Sequence, residues 1–291
     1  MLRLVMALII SGWSLWAGAA PLTVSDGSGQ RVTLRAPAQR IISLAPHTTE
    51  MLFSAGAGAR IVGAVDYSDY PEPAKAIPRV GSYNRFDLEA IVALRPDLVV
   101  GWKSGNNAAA LEKLQRLGIP LFRSEPHHLE TIADEIDALA VLADTQAATQ
   151  PVTRAWRQRL NMRRAQYRNS PPVSVFYEVW NQPLMTVSGQ HLISDVIALC
   201  GGSNVFAQLP ALSAEVSREA VLAADPQVII ASGMGEEHPE WLDDWRRWPH
   251  LKAVQGNHLY FIPPALLQRH TLRILDGAER MCGQIARVRR N

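Results

Sequence analysis

Four large rings fall just beyond short β-branched runs, and a fifth lies in a loop between elements. Tyr67 and Tyr70 follow RIVGAV, Tyr83 lies in the loop before LEAIVALR, Trp102 closes DLVVGW, and Trp180 follows VSVFYEV. Any one of them alone reads as a half-buried packing residue. Several at the ends of strands describe a wide aromatic cleft, since ligands of parallel α/β sheets settle beyond the carboxyl ends of the strands. Tyr and Trp give broad apolar contact, a hydrogen-bonding edge and little rotamer entropy to lose. Their chemistry is to hold a large, partly apolar ligand with a polar periphery; a small sugar or amino acid would ask for more charged anchors.

Groups that transform a substrate are not arranged in any recognisable pattern. There is no GxSxG elbow, no HExxH, no P-loop and no GxGxxG after a strand. The eight histidines are scattered, and adjacent His127 and His128 cannot make the i, i+4 face of a helical metal site. No catalytic residue, catalytic cofactor or metal centre is therefore expected. A secreted hydrolase with an unrecognised Ser/His pair is the reading from another class.

Two carboxylates stand out by position. RFDLEAIVALRPDLVVGW (residues 85–102) is echoed by VSREAVLAADPQVIIAS (216–232): Asp87 and Ser217 are N-cap types, Glu89 and Glu219 follow two residues later, and a proline comes seven residues after each glutamate. Each unit ends a helix and launches a buried strand. Taken alone, each glutamate complements a helix dipole, worth about 0.3 to 1 kcal/mol.

The elements that must position these residues alternate. RIISLA, RIVGAV, DLVVGW and PLFRS are strand candidates, separated by the helical patterns TTEMLFSAGAG, LEAIVALR, AAALEKLQRLG and LETIADEIDALAVLA. After SPP the alternation resumes with VSVFYEV, HLISDVIALCGG, REAVLAADPQVIIAS, LYFIP and a last helix from TLRILDG onward. The fold class is α/β, in two Rossmann-like lobes with central sheets. Between them PVTRAWRQRLNMRRAQYR reads as one continuous helix starting at Pro151 and joining the lobes. The expected division is a first lobe over residues 21–148, a linker helix over 149–170 and a second lobe over 171–291. Trp241, Trp245 and Trp248, spaced four and three apart, form a helix stripe directed at the core.

The 291 residues carry a formal charge of +2 with both signs interspersed, which leaves no footprint for nucleic acid or a membrane surface. Residues 1–20 read as a secretory signal: Arg3, the apolar run Leu4 to Leu15, and WAGAA before a cleavage after Ala19 or Ala20. No cysteine stands at the cleavage point, so no lipid anchor is implied. The expected compartment is a bacterial periplasm, where Cys200 and Cys282 read as one disulfide, two buried free thiols being the alternative.

The stretches RIISLAPHTTEMLFSAGAGARIVGAVDYSDYP and LEAIVALRPDLVVGW, continued by PLMTVSG, LCGGSNVFA, VSRE and RMC, resemble the periplasmic vitamin B12-binding proteins of ABC importers. More broadly they resemble the helical-backbone class of metal-chelate carriers, the class III periplasmic binding proteins. The resemblance spans nearly all of the chain after residue 20. It implies a monomer that holds cobalamin between its lobes. It carries ligand contact onto Tyr67 and Trp102 and onto the segment Ala265, Leu266, Leu267, Gln268 and Arg269; Tyr83 and Trp180 stand beside them as ligand-binding candidates from the position of their rings. It also implies the Cys200–Cys282 bridge and casts Glu89 and Glu219 as one docking carboxylate per lobe for the two subunits of a permease dimer, a pairing that suits a two-fold partner. Departures from the family pattern are Tyr83, where tryptophan is usual, Ser213, which falls near another such tryptophan, and Ala265 in place of aspartate. The same architecture hosts haem and ferric siderophores, for which His47, His270 and the tyrosines would offer ligands.

Overall fold

The computed structural model describes residues 20–233 and 239–290. The expected signal segment lies almost wholly outside the described residues. A hairpin of β1 (Leu22–Ser25) and β2 (Arg31–Leu34) precedes the first α/β alternation. That alternation runs β3 (Ile41–Ser43), α1 (Pro46–Ser54), β4 (Ile61–Ala64), α2 (Leu88–Ala93), β5 (Leu98–Trp102), α3 (Ala108–Arg116), β6 (Leu121–Ser124) and α4 (Leu129–Ala143). The long helix α5 spans Gln146–Tyr167.

The second alternation runs β7 (Val173–Glu178), β8 (Trp180–Asn181), β9 (Leu184–Val187), α6 (Leu192–Leu199), β10 (Gly202–Asn204), β11 (Ser213–Glu215), α7 (Arg218–Ala224), β12 (Val228–Ala231), α8 (Lys252–Gln255), β13 (Leu259–Phe261), α9 (Pro264–Leu267) and α10 (Ile274–Val288). Each β-branched run read as a strand is one.

Both main sheets are four-stranded and parallel, ordered β4-β3-β5-β6 and β10-β7-β12-β13. Within each lobe this is the same order, second strand, first, third, fourth. The echoed unit builds the same place twice: helix α2 leads to β5, and helix α7 to β12. Asp87 accepts the N–H groups of Glu89 and Ala90, and Ser217 accepts that of Ala220. Each unit then turns through a left-handed residue, Arg95 at φ 47° or Asp225 at φ 42°, directly before its proline.

The strands are buried on both faces, as parallel sheets require. In β3 and β5, Ile41, Leu98 and Val100 face one core while Ile42 and Val99 face another. In β7 and β12, Val175, Tyr177, Val228 and Ile230 face the same inner core as Ile41, while Phe176 and Ile229 face a third. The inner core is therefore one continuous body reaching through Trp156 and Leu160 of α5 into both lobes.

Helix α5 starts at Gln146, five residues before the expected Pro151. Pro151 sits in the second turn, and both it and Ala147, whose carbonyl loses its donor, are in contact with water, where the loss costs least. The tryptophan segment is a 3-10 helix, Glu240–Arg247, with Trp245 buried and Trp241 and Trp248 packed against the third core. A small antiparallel sheet, β11-β9-β8, was not legible, because its strands are two to four residues long and one turn is carried by Gln182 and Pro183. Cys200, capping α6, is bonded to Cys282 in α10.

Candidate functional site

The carboxyl ends of the two sheets face each other across a cavity of about 540 Å³. From the first lobe it is lined by Trp102, Ser104 and the loop Glu125–His127, which follow β5 and β6. From the second lobe come Val179 and Val187 around the β8–β9 hairpin, the start of α6 at His191–Ile193, the segment Ala211–Ser213, and Gln268 with His270. This volume lies within the range of ligand pockets, and most of the lining is apolar.

Trp102 is the best-defined ring. Gly105 allows it to fold over its own loop, since a Cβ there would lie 1.9 Å from the ring. Asn106, buried, fixes the loop's backbone: its Oδ1 accepts the Trp102 N–H, and its Nδ2 donates to the carbonyls of Leu44 and Tyr83. One side chain thus ties together the loop after β3, the Tyr83 loop and the end of β5. Glu125 joins the loops after β5 and β6 by accepting the N–H of Ser104 at 2.7 Å and its hydroxyl at 3.0 Å.

Tyr83 packs on Trp102 with centroids 5.9 Å apart, and 39% of its surface is exposed. Tyr67 stands at the inter-lobe rim with its surface 73% exposed and its backbone at φ 62°, a conformation a bulky residue holds only when its surroundings enforce it. Here Ser68 next door accepts a hydrogen bond from Thr49, and its carbonyl accepts one from Arg79. Trp180 lies on the β8–β9 hairpin, donating Nε1–H to the Gln182 carbonyl, and is not among the cavity-lining residues.

Of the segment 265–269, only Gln268 lines the cavity, with its side-chain amide donating to the Ser232 carbonyl. Leu266 and Leu267 point into the core, 8% and 0% exposed, and Ala265 shares their short helix. Arg269 is engaged elsewhere. Its guanidinium reaches the first lobe, meeting Glu50 of α1 at 3.0 Å, Asp69 at 2.6 Å and the carbonyl of Tyr67 at 3.2 Å. Arg273 adds a contact to Glu50 at 3.4 Å and lies over the Tyr70 ring at 3.9 Å. These residues form a clasp across the mouth between the lobes. Burial raises the Glu50 pKa despite both arginines; Asp69, also partly desolvated, is held below its usual value by Arg269.

Histidines form the part of the site that sequence spacing missed. His270 neighbours His47 at a centroid distance of 5.6 Å and His191 at 5.8 Å, while His47 also meets the Trp102 ring edge-on at 5.3 Å. Burial, helped by the Arg269 charge, lowers the His47 pKa to about 3; burial and nearby His127 lower that of His191 to about 4. Burial, followed by the neighbouring histidines, takes His270 well below its ordinary value. All three are neutral at pH 7. Family resemblance marked His47 and His270; His127, with Pro126, follows β6 just as Trp102 ends β5, which is the signal that places it at the cavity.

Glu89 and Glu219 are exposed, sit on the first turns of α2 and α7, and are not among the residues lining the cavity. The Glu219 pKa is lowered by its own backbone N–H and by Ser217. Among the described residues, no group of His, Cys, Asp and Glu is placed to hold a metal ion, and no helix is long and apolar enough to cross a membrane.

Two parallel sheets that face each other over a shared pocket, joined by one long helix, define a two-lobed solute-binding protein. The family model described as periplasmic binding protein matches residues 41–266, and the chain belongs to that family. A vitamin B12-binding protein of Vibrio campbellii is 36% identical over 271 residues, covering 93% of this chain and 96% of the relative. The crystal structure of a periplasmic vitamin B12-binding protein of Vibrio cholerae has a TM-score of 0.81 at 36% identity, covering 88% of this chain and 99% of that one. A periplasmic haem-binding protein of Roseiflexus shares the fold, with a TM-score of 0.75 at 21% identity over 86% of this chain and 99% of that one. The family is one of solute carriers, not catalysts.

Proposed function

We propose that the chain captures cobalamin in the cavity between its lobes and delivers it, without chemical change, to an ABC importer of the inner membrane. The observation that carries this reading is the aromatic, mostly apolar cavity at the facing ends of the two sheets. The relatives named for vitamin B12 binding supply the ligand class. In this reading residues 1–20 are a cleaved leader and the carrier works as a monomer in the periplasm. Lobes over 21–148 and 171–291 flank a connecting helix over 149–170. Trp102 and Gln268 meet the ligand inside the cavity, Tyr67, Tyr83 and Trp180 edge it, and Ala265 to Leu267 set the rim from behind.

Calorimetric titration with cyanocobalamin tests it: saturable binding at micromolar protein is expected, and no heat overturns it. Trp102→Ala should weaken binding by about 2 kcal/mol, since a buried aromatic anchor at a site's centre carries a large share of affinity.

Glu89 and Glu219 are proposed to dock each lobe on one subunit of a permease dimer, presenting equivalent carboxylates on equivalent helices to a two-fold partner. Glu89→Ala with Glu219→Ala should lower complex formation with permease in detergent or nanodiscs while cyanocobalamin affinity stays the same. Unchanged complex formation removes the role.

A further inference from the structure

Charge is distributed over the cavity wall in a one-sided way. Among the described residues that line it there is no lysine and no arginine. Arg269 at the mouth is held by Glu50 and Asp69 and is not part of the lining. Lys103 follows Trp102 in the chain but lines a separate hollow with Arg123. The lining does include the buried carboxylate of Glu125, whose two oxygens accept the N–H and the hydroxyl of Ser104. Its other ionisable side chains are exposed His127 and the imidazoles of His191 and His270, which burial keeps uncharged at neutral pH.

One donor in this wall is free. His191 is the N-cap of α6, and its Nδ1 accepts the Ile193 N–H at 3.1 Å, so the neutral ring carries its proton on Nε2. That Nε2–H has no partner among the described residues, and unlike the enclosed nitrogens of His47, His270 and Trp102 it is not closed off by the protein around it. A neutral donor in a cavity that also holds a carboxylate suits a neutral acceptor. A carboxamide carbonyl accepts the N–H and brings no charge. A free carboxylate in the same place would lose its water in the presence of Glu125, with no cation to compensate it.

Resting on the cobalamin reading above, we propose that the cavity selects the uncharged carboxamides of the corrinoid rim: His191 donates Nε2–H to one of their carbonyl oxygens, and Glu125 repels a free carboxylate in its place. The carrier thereby distinguishes a fully amidated corrinoid from forms that are hydrolysed or not yet amidated at that position. The same wall disfavours macrocycles that carry carboxylate side chains.

The experiment is calorimetry on the full mature protein at pH 8, where an ordinary imidazole is uncharged. It compares cyanocobalamin with each of its monocarboxylate isomers, in which one propionamide is hydrolysed. At least one isomer should bind about tenfold more weakly than the parent, while an isomer whose altered group stays in solvent binds as the parent does. Glu125→Gln, which keeps an acceptor for Ser104, should shrink that gap about threefold. His191→Asn, which keeps a cap for α6 but withdraws the donor from the cavity, should weaken cyanocobalamin about fivefold. Equal affinity for cyanocobalamin and every isomer, tighter binding of a carboxylate, or a gap that is unchanged in Glu125→Gln overturns the inference and leaves the carrier reading intact. Wild-type affinity for cyanocobalamin in His191→Asn does the same. Failure of cyanocobalamin and every isomer to bind overturns both.

Discussion

Neutral histidines packed against one another make the site sensitive to acid. The unfolded chain protonates each histidine near the ordinary value of 6.5, whereas the folded protein protonates His191 only near 4 and His47 near 3. A depressed folded-state pKa gives stability that is whole above 6.5 and is lost as pH falls toward those values. Burial raises Glu135 to about 7 and Glu178 to about 8, and these act in the opposite sense, losing stability as pH rises. The histidine contribution is therefore read as a difference: relative to a His47→Gln, His191→Gln variant, the wild-type Tm should fall progressively between pH 6.5 and 4. A gap that does not change with pH would contradict it. Trp102 and Tyr83 could be read from the sequence because strand ends announce themselves through β-branched runs. Asn106 could not, and of the histidines only His47 and His270 were marked, by family resemblance and not by spacing: a buried polar residue takes its meaning from carbonyls and rings brought in from distant segments.

Among the elements, the mouth between α1 and the loop after α9 carries the sharpest energetic test. Arg269, with 18% of its side chain exposed, faces Glu50, whose side chain is 3% exposed. Removing Arg269 leaves buried Glu50 with only the longer Arg273 contact, a loss approaching the roughly 3 kcal/mol of a broken buried pair. Arg269→Ala should lower stability to urea by that order, and adding Glu50→Gln should recover part of it, because the poorly compensated buried charge is then gone. Equal stability for wild type and Arg269→Ala would refute the clasp. Family resemblance marked the Arg269 segment as cleft edge. That its guanidinium turns to Glu50 and Asp69 was not legible, because those partners lie some 200 residues away in the chain. The echo, by contrast, was legible down to its caps, since capping is a matter of adjacent residues.

For the whole molecule, the governing feature is the laced spine. Trp156 donates Nε1–H to the Leu272 carbonyl, Arg157 pairs with Asp134 and Asp137 of α4, and Arg159 and Arg163 pair with Glu279 of α10. Helix α5 is thereby fastened to both lobes as well as embedded in the core they share, so ligand binding should move the lobes only slightly. Crystals with and without cyanocobalamin should superpose with no large closure. The Cys200–Cys282 bridge joins residues 82 apart in the chain, so its reduction should cost about 4 to 5 kcal/mol on the chain-entropy model. An apolar interior that passes through a connecting helix without a break leaves no seam for cutting. Denaturant should therefore melt the protein in a single cooperative transition, with fluorescence from Trp102 and from Trp245 fading together, and fragments ending or beginning at α5 should fail to fold until mixed.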